Sequence, residues 1–411
     1  MPFFTMPVFT DTEIKHVLSQ VDTIREALLG NCHTFADFPE GPVLKVGDGY
    51  PGIWLEHNQD NVFLADFAPE IAWRSQKMFM HFQLEDGLLP YMVAVKPLDK
   101  CIGYPDRKSV GYWHVQTVYP FARCALEIAK KTNRPREDYQ QIYQAGSAYD
   151  AWFGKFRDTL KTGLVEMFCE YDTGHDKDPR VTDGGIPGTC PDLDARKMPD
   201  LPVLPIVSVD LSAALYGGRM ALADIAEILG QAEEAAAWRK KAEKTRQTIK
   251  ELLYDPEDDF YYDWNKQGFR KYRTEHITRL FLNRVLTQDE FDSIYERYFT
   301  IQGKGFCSPY PIPAVAIDDP HFDHTFPKNS WACNTQGLTT LRAILWMDHY
   351  GRSEDLTALL AHWLRAFLDH PETTYQQEIH PFTGAPIGKG VNYSPTLIIY
   401  LEAVKRLGWM G

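Results

Sequence analysis

Helical periodicity recurs along most of the chain and predicts helices that come in pairs. In residues 11–30 the apolar positions are those of one helix face: Ile14, Val17, Leu18, Val21, Ile24 and Leu28. Similar patterns predict helices at 69–84, 118–131, within 136–169, and at 209–229, 232–253, 276–283, 287–297, 333–350, 353–370 and 395–407. Gly230 marks the turn of a helical hairpin. A short β-excursion is predicted only at 254–264.

Polar, aromatic segments separate these helices. Residues 31–61 are rich in turn residues, and 54–61 is too polar for a buried strand, so we expect a loop there. Residues 171–206 are rich in Pro, Gly and Asp and are also expected to form an ordered loop. Because the helices do not alternate with strands, we predict an all-α fold. Paired helices with functional loops on one side favour an (α/α)6 barrel, and residues 1–411 are expected to form a single domain because no linker divides them.

Composition and charge limit the class of ligand. Hydrophobic residues make up 44% of the 411 residues, which is enough for a large core. The net charge of -13 disfavours nucleic acid or an anionic membrane as partner. Aromatic residues make up 13% of the chain, and rings together with carboxylates are what sugar binding requires. We therefore expect a small carbohydrate as the partner.

The cysteines and the N-terminus indicate a cytoplasmic protein. The seven cysteines contain no CxxC pair, which is typical of reduced thiols. The first residues lack a basic segment followed by an apolar run, and no stretch is apolar enough to span a membrane. No cofactor or metal is expected, and the oligomeric state is open.

An acidic stretch at 171–180 is the first candidate for chemistry. It places Asp172, Asp176 and Asp178 within seven positions. Like charges this close raise one another's pKa, which can keep a carboxylic acid protonated near neutral pH. A solvated acidic turn, with or without calcium, is the alternative. Glu378, in a loop beside aromatic residues, is the second carboxylate that glycoside hydrolysis would need.

Two segments resemble the catalytic motifs of a glycosidase clan. Residues 172–180 are similar to the clan's Glu/Asp-Ser-Gly-x-Asp-Asn-Ser-Pro-Arg segment, whose central Asp is the general acid. Residues 378–384 resemble Glu-x-Tyr/Asn-Pro-x-Thr-Gly, whose Glu is the general base. The chain thus resembles the (α/α)6-barrel glycosidases of family 63 and the family 37 trehalases, especially the short mannosylglycerate and glucosylglycerate hydrolases. The resemblance implies that Asp176 is the acid and Glu378 the base, although Asp172 could instead be the acid.

The resemblance also implies a reaction type. It predicts an inverting hydrolase acting on a small α-glucoside or α-mannoside, with the two carboxylates roughly 6.5–9.5 Å apart so that water fits between them. Asp172, Asp178 and partial burial are expected to raise the pKa of Asp176. A compact chain without an accessory domain favours a pocket and cleavage from the end of the substrate, that is, exo action.

Further residues are candidates for binding the sugar. Asp60 lies in a segment that resembles the clan's Trp-Asp-x-x-Phe motif, whose Asp binds sugar hydroxyls, and Gln116 falls at the Gln of a Gln-Pro-Pro element. Tyr375 is a third candidate for a hydroxyl contact, and Asp172 is a further candidate for contact with the substrate. The candidates for stacking on the sugar are Trp54, Trp113 and Trp331.

The chain departs from the clan at positions expected to line the pocket. Lys177-Asp178 replaces Asn-Ser after the acid, and Gln59 replaces the Trp before the hydroxyl-binding Asp. Thr117-Val118 replaces Pro-Pro, and Lys328-Asn329 replaces an Arg-Gly pair. These changes leave the scaffold and both carboxylates in place but make the identity of the substrate uncertain.

Other functions remain open from sequence alone. A sugar epimerase or isomerase on the same barrel would use a pair of His residues, and a polysaccharide lyase would want a basic cleft, which the net charge disfavours. The helical hairpin at 207–253 would also suit a non-catalytic interaction protein. His321, His324 and His380 lack the helical spacing of a zinc site, and no glycine-rich nucleotide-binding motif follows a strand.

Overall fold

Helices dominate the protein. The computed structural model describes residues 4–98, 108–325, 331–371, 375–387 and 391–409. The α-helices in these ranges are Asp11–Gly30 (α1), Asp60–Leu64 (α2), Pro69–His81 (α3), Phe121–Lys131 (α4), Arg136–Phe156 (α5), Pro179–Thr182 (α6), Val209–Ile228 (α7), Ala232–Leu253 (α8), Thr278–Leu282 (α9), Gln288–Phe299 (α10), Gly337–Ala343 (α11), Ser353–Asp369 (α12) and Ser394–Arg406 (α13).

Local sequence signals explain where several helices begin. Thr10 caps α1 and Glu13 bonds back to the Thr10 backbone, which forms a capping box. Thr287 and Glu290 make the same reciprocal pair at α10. The Ser208 side chain accepts a hydrogen bond from the backbone of α7. These side chains satisfy amide groups that have no partner inside the helix.

Six of the helices form a closed ring. Helices α2, α4, α7, α9, α11 and α13 contact one another in that order, and α13 contacts α2 to complete the circle. All residues of α2, α9 and α11 are buried. The helices α1, α3, α5, α8, α10 and α12 alternate with the ring helices along the chain. The outer helix α1 buries only one face, through Val17, Val21, Ile24 and Leu28, so the ring helices are the inner layer.

Short β-strands lie in the segments between the helices. They are Cys32–Phe35 (β1), Phe38–Leu44 (β2), Gly52–Trp54 (β3), Met92–Ala94 (β4), Val110–Gly111 (β5), Glu166–Met167 (β6), Ile206–Val207 (β7), Tyr254–Asp255 (β8), Phe260–Tyr261 (β9), Asp263–Asn265 (β10), Gly268–Arg270 (β11), Thr335–Gln336 (β12), Glu378–Ile379 (β13) and Pro386–Ile387 (β14). Paired strands are antiparallel and form the small sheets β1-β2, β3-β4-β5, β6-β7-β10-β11, β8-β9 and β12-β13-β14. The predicted β-excursion is confirmed by β8, β9 and β10.

The structure corrects two expectations. The expected loop at 31–61 instead contains β1, β2, β3, a 3-10 helix at Leu55–His57 and the start of α2. The polar residues after Trp54 are buried because they satisfy one another: Asn58 donates to Gln76 at 2.7 Å and Ser75 donates to Asn61 at 2.8 Å. The helix expected at 333–350 is shorter and spans only α11.

The hydrophobic core is continuous. One cluster of buried apolar side chains extends from Phe4 near the N-terminus to Val404 in α13. Helix α1 packs against α13, so the two ends of the described chain meet. A search of the described helices found none with the length and apolar character needed to cross a membrane.

The junction that closes the ring gives a stability prediction. Ser394, at the start of α13, donates a 2.6 Å hydrogen bond to the buried Asp60 carboxyl at the start of α2. We expect Ser394→Ala to lower the free energy of unfolding by about 1–3 kcal/mol, because a buried acceptor loses a partner. Urea denaturation measures this. In the control Ser293→Ala, an exposed serine loses its bond to Asp259, and we expect a loss below about 0.5 kcal/mol. Equal losses in the two variants would contradict the account.

Candidate active site

One large cavity collects most of the predicted site residues. Its volume is about 570 Å³, which suits a small organic ligand. The described residues that line it are Gly49, Tyr50, Trp54, Glu56, His57, Tyr91, Trp113, His114, Gln116, Tyr171, Gly174, Asp176, Lys177, Thr189, Trp331, Leu338, Gln377, Glu378 and Tyr393. Asp176 and Glu378, far apart in the chain, therefore meet in one cavity. Lys328 and Asn329 lie outside the described residues.

A tight loop presents Asp176. A 3-10 helix at Glu170–Thr173 ends at Gly174, which has a left-handed backbone with φ 72°. A Cβ atom at Gly174 would lie 2.1 Å from a Glu56 carboxylate oxygen, so only glycine fits there. Asp176 follows, half-buried, and its carbonyl accepts a 3.1 Å hydrogen bond from the Trp331 amide. Asp178 then caps α6 by accepting from the Arg180 amide.

Buried ion pairs fix the loop on the C-terminal side of the 3-10 helix. The Arg180 guanidinium donates to Asp178 at 3.0 Å, to Asp210 of α7 at 2.6 Å and to Asp263 of β10 at 2.9 Å. The neighbouring His175 ring lies 2.5 Å from the same guanidinium. Asp210 lies in α7 and Asp263 lies in β10. Arg180 therefore attaches the loop to two separate elements.

His175, the residue before Asp176, is fixed by contacts of its buried ring. Its Nε2 atom lies 2.7 Å from Glu275, and its ring packs against Trp331 with the centroids 4.5 Å apart and the planes tilted by 52°. Burial lowers the pKa of His175 to about 3, and the Arg180 and Arg279 charges add to this effect. The imidazole is therefore neutral at physiological pH. Because Arg180 can only donate, Nδ1 accepts from it, and the ring proton is assigned to Nε2, which faces Glu275 at 2.7 Å and the Arg279 guanidinium at 2.8 Å.

Asp172 is a structural anchor outside the cavity lining. Its buried carboxylate forms a bidentate ion pair with Arg157, at 2.6 and 3.1 Å. It also accepts hydrogen bonds from backbone amides, including those of Val115 at 3.0 Å and Phe168 at 2.7 Å. Burial opposes its ionisation, but the Arg157 charge and these bonds outweigh burial and hold the Asp172 pKa below its usual value. An ionised, enclosed carboxylate is unsuited to donate a proton to a substrate, so the structure gives Asp172 neither the acid's position nor a sugar contact.

Asp178 also differs from the expectation. Burial raises the pKa of Asp178 to about 7, and its carboxylate faces Arg180. The two acidic neighbours of Asp176 are thus each paired with an arginine. The raised pKa expected for Asp176 stays a prediction.

Glu378 reaches the cavity from a small sheet. It lies in β13, opposite Gln336 of β12, and is 1% exposed. Asn334 donates a short hydrogen bond to its Oε2 atom. Tyr50 lines the same cavity as both candidate catalytic groups. Burial, and then the charges of Glu378 and Asp176, raise the pKa of its phenol. The Tyr50 hydroxyl donates to the side chain of Gln377, the residue before Glu378.

Aromatic rings form much of the cavity wall. Trp54 and Trp113 are half-buried and Trp331 is 2% exposed, and all three line the cavity. Tyr50 packs edge-on against Trp54 at 5.8 Å, and Tyr91 lies 5.6 Å from Trp113. Rings of this kind offer the apolar faces on which sugars stack.

Glu56 is a third carboxylate in the cavity, and sequence reasoning missed it. It is 2% exposed, and its oxygens accept from Arg342 at 3.0 Å and from Gln116 at 2.6 Å. Burial raises its pKa, and Arg342 and Gln116 oppose that shift. His114 completes the chain of bonds at 2.8 Å from the Gln116 carbonyl oxygen, and burial lowers the His114 pKa to about 4. The signal in the sequence that could have indicated Glu56 was its position two residues after Trp54, in a polar, aromatic segment.

Two predicted contacts lie elsewhere. Asp60 is buried where α2 meets α13 and accepts from Ser394 and from Gln59 at 3.0 Å, and burial raises its pKa to about 7. Tyr375 is half-buried against Phe367, with ring centroids 5.1 Å apart. Neither residue is among those that line the cavity. Asp60 instead bonds to the start of α13, and Tyr375 packs against α12.

One buried cluster has metal-ligand chemistry. The ligand atoms of Cys169, Asp172 and Cys190 lie within 4.8 Å of one another, the only such group among the described residues. The two sulfur atoms are 3.6 Å apart. Burial raises the pKa of Cys169, which favours the thiol, and Arg157 already occupies the Asp172 oxygens. The donor set therefore does not suit a cation.

The family of the chain follows from its sequence as a whole. Residues 61–396 match the family described as the mannosylglycerate hydrolase MGH1-like glycoside hydrolase domain. The chain belongs to this family. Two mannosylglycerate hydrolases of Selaginella moellendorffii, MGH2 and MGH1, are each 30% identical to it over 142 residues. That alignment covers 32% of this chain and 28% of each relative, so the chain matches under a third of their length.

Solved structures show the same fold. The family 63 mannosylglycerate hydrolase of Thermus thermophilus, in complex with Tris, superposes with a TM-score of 0.71 at 17% identity, over 93% of this chain and 99% of that chain. Its complex with Tris and D-glycerate gives the same TM-score. Neutral trehalase of Saccharomyces cerevisiae superposes with a TM-score of 0.65 at 14% identity, over 99% of this chain and 81% of that one. At such identities these likenesses concern the fold.

The neutral His175 gives a prediction about pH. Its folded-state pKa of about 3 lies below that of an unfolded histidine, so only the unfolded chain takes up the proton as the pH falls from about 6.5. This stability is present above pH 6.5 and is lost on acidification. We expect His175→Gln to make the drop in unfolding free energy between pH 7 and 5 smaller by about 2 kcal/mol, measured by urea denaturation.

The control for this experiment is His16→Gln, at an exposed position of α1. We expect that variant to keep the wild-type dependence on pH. A His175→Gln variant with an unchanged dependence would show that His175 is not held neutral in the folded protein.

Proposed function

We propose that the protein is a glycoside hydrolase that cleaves a small α-glycoside from its end, with mannosylglycerate as the leading substrate. The observation that carries this proposal is the meeting of Asp176 and Glu378 in one aromatic cavity. The family match and the names of the relatives support the bond type and the substrate. A cavity of about 570 Å³ suits a disaccharide-sized molecule rather than a polymer.

Asp176 is the proposed general acid. It is half-buried on an anchored loop and lines the cavity, so it can meet the glycosidic oxygen and donate the proton that the leaving alcohol needs. The breaking bond then leaves positive charge on the sugar, which the cavity's carboxylates stabilise.

Glu378 is the proposed general base. In this role it takes a proton from a water molecule, which attacks the anomeric carbon from the face opposite the leaving group. Asn334 orients the carboxylate through its bond to Oε2, and the paired strands β12 and β13 restrict its movement. Tyr50, near both groups, is suited to bind a sugar hydroxyl between them.

Glu56 and Gln116 are the proposed hydroxyl-binding pair. Both line the cavity. Arg342, which is not among the lining residues, fixes Glu56, and His114, which also lines the cavity, fixes Gln116. Trp54, Trp113 and Trp331 supply stacking faces on the wall. Glu56 and Gln116 thus have the hydroxyl-binding role that the sequence analysis assigned to Asp60 and Gln116.

The scaffold inferred for this activity is an (α/α)6 barrel in which residues 1–411 form a single domain. The closed ring of inner helices, the alternating outer helices and the continuous core support this inference. A cytoplasmic location stays a prediction.

Two histidines also line the cavity, which keeps a sugar epimerase as the second candidate. His57 and His114 would be its acid and base. However, the Nε2 atom of His57 lies 2.7 Å from the Tyr393 hydroxyl, and His114 is occupied by Gln116. An epimerase would convert a free sugar and hydrolyse nothing, whereas the family match favours hydrolysis.

Removing either carboxylate should strongly slow hydrolysis. We expect Asp176→Asn and Glu378→Gln each to lower kcat for mannosylglycerate by about 10²–10⁴-fold, because each variant loses one proton-transfer group. Release of glycerate, followed by NMR, measures the rate. The controls Asp200→Asn and Glu257→Gln make the same changes at exposed positions and should keep wild-type rates. Wild-type rates in both cavity variants would contradict the assignment.

The stereochemistry of the product tests the inferred inversion. If Glu378 activates water, the sugar is released first as the β-anomer from an α-glycoside. Proton NMR spectra recorded within the first minutes of the reaction distinguish the two anomers before they equilibrate. Initial release of the α-anomer would instead indicate a retaining enzyme with a covalent intermediate.

A further inference from the structure

Lys177 is the one lysine or arginine among the described residues that line the cavity. The acidic lining groups are Glu56, Asp176 and Glu378, and the two lining histidines are made neutral by burial. The protein as a whole carries a net charge of -13. An anionic ligand would therefore be repelled unless a cation lay beside its charged group.

The backbone fixes the place of this lysine. Lys177 has a left-handed conformation with φ 64°, which a residue with a side chain adopts only where its surroundings hold it. Its amide donates a 2.7 Å hydrogen bond to the Glu170 carboxylate. Asp178, the next residue, is tied to Arg180. The half-buried Lys177 is thus held on a fixed segment beside Asp176.

We propose that Lys177 is a specificity-determining residue that binds the carboxylate of an acidic leaving group. The inference rests on the proposed function, in which Asp176 protonates the glycosidic oxygen. The residue next to the acid then lies on the side of the leaving group. In a glyceric acid leaving group the carboxylate is only a few bonds from that oxygen, within reach of a lysine that neighbours the acid.

The ammonium group matches this task. A lysine presents a compact charge on a flexible stem, which can pair with a carboxylate without the planar geometry that arginine demands. Neutral leaving groups, such as glycerol, make no such pair. Lys177 would therefore select acidic over neutral leaving groups while Asp176 and Glu378 act on both.

The test compares mannosylglycerate with its neutral counterpart mannosylglycerol. We expect Lys177→Met to lower kcat/KM for mannosylglycerate by about 10–100-fold, the usual effect of losing a hydrogen bond to a charged group, mainly through KM. The value for mannosylglycerol should change by less than about 3-fold. Lys177→Arg keeps the charge and should retain most of the preference for the acid.

A matched control is available at Lys161, an exposed residue with the same left-handed backbone, φ 58°. Lys161→Met removes one lysine from a comparable conformation away from the cavity and should leave both substrates unaffected. Because methionine at 177 meets the same backbone demand as lysine, the variant adds no new conformational conflict.

The outcomes separate the two proposals. Wild-type protein that hydrolyses neither compound overturns the proposed function. Wild-type protein that hydrolyses both, combined with equal losses on both substrates in Lys177→Met, keeps the proposed function and overturns the role of Lys177. Calorimetric titration with D-glycerate gives a readout without turnover: we expect at least 10-fold weaker binding in Lys177→Met and none of this weakening in Lys161→Met. Unchanged glycerate binding in Lys177→Met would overturn the inference.

Discussion

The site depends on two buried ion-pair clusters that flank Asp176. On one side Arg157 holds Asp172, and on the other Arg180 joins Asp178, Asp210 and Asp263. Buried charges are costly unless they are paired and hydrogen-bonded, and these groups are both. Between the clusters the chain has little freedom to move, so the half-buried Asp176 is presented at a fixed place in the cavity that Glu378 also lines. Positioning of this kind is what proton transfer to a leaving group requires.

The closed ring of inner helices makes this arrangement possible. The cavity takes Trp54 and Glu56 from the N-terminal part of the chain, Asp176 from the middle, and Glu378 and Tyr393 from the C-terminal part. These segments are brought together because α13 packs against α2 and α1. Catalytic residues on loops and small sheets can then vary while the helical ring remains, which agrees with family membership at low sequence identity.

Sequence patterns predicted α1 well but missed α2 and made α11 too long. Helix α1 has one buried face, so its apolar residues recur at helical spacing, whereas α2, α9 and α11 are buried on all sides and give no such contrast. The segment after Trp54 is polar yet buried, because its side chains bond to one another. Pairwise satisfaction of this kind cannot be seen in a single sequence.

The same limit applies to the site. The carboxylates Asp176 and Glu378 were found through their motifs, and the cavity lining includes both. Glu56 was missed in favour of Asp60, one helical turn further along, since a sequence does not show which of two nearby acids faces a cavity. Arg157 pairs with Asp172, and Arg180 pairs with Asp178. The sequence does not show these ion pairs, because they depend on how the chain folds.

The most direct test of the central claim separates the acid from the base by changing the leaving group. Dinitrophenol leaves without a proton, whereas glycerate needs one. The measurement is the rate at which Asp176→Asn and Glu378→Gln hydrolyse mannosylglycerate and a dinitrophenyl mannoside of the same anomer. The account predicts that Asp176→Asn recovers most of its activity on the dinitrophenyl substrate while Glu378→Gln fails on both. Recovery in Glu378→Gln instead, or in neither variant, would contradict the assignment of Asp176 as the acid and Glu378 as the base.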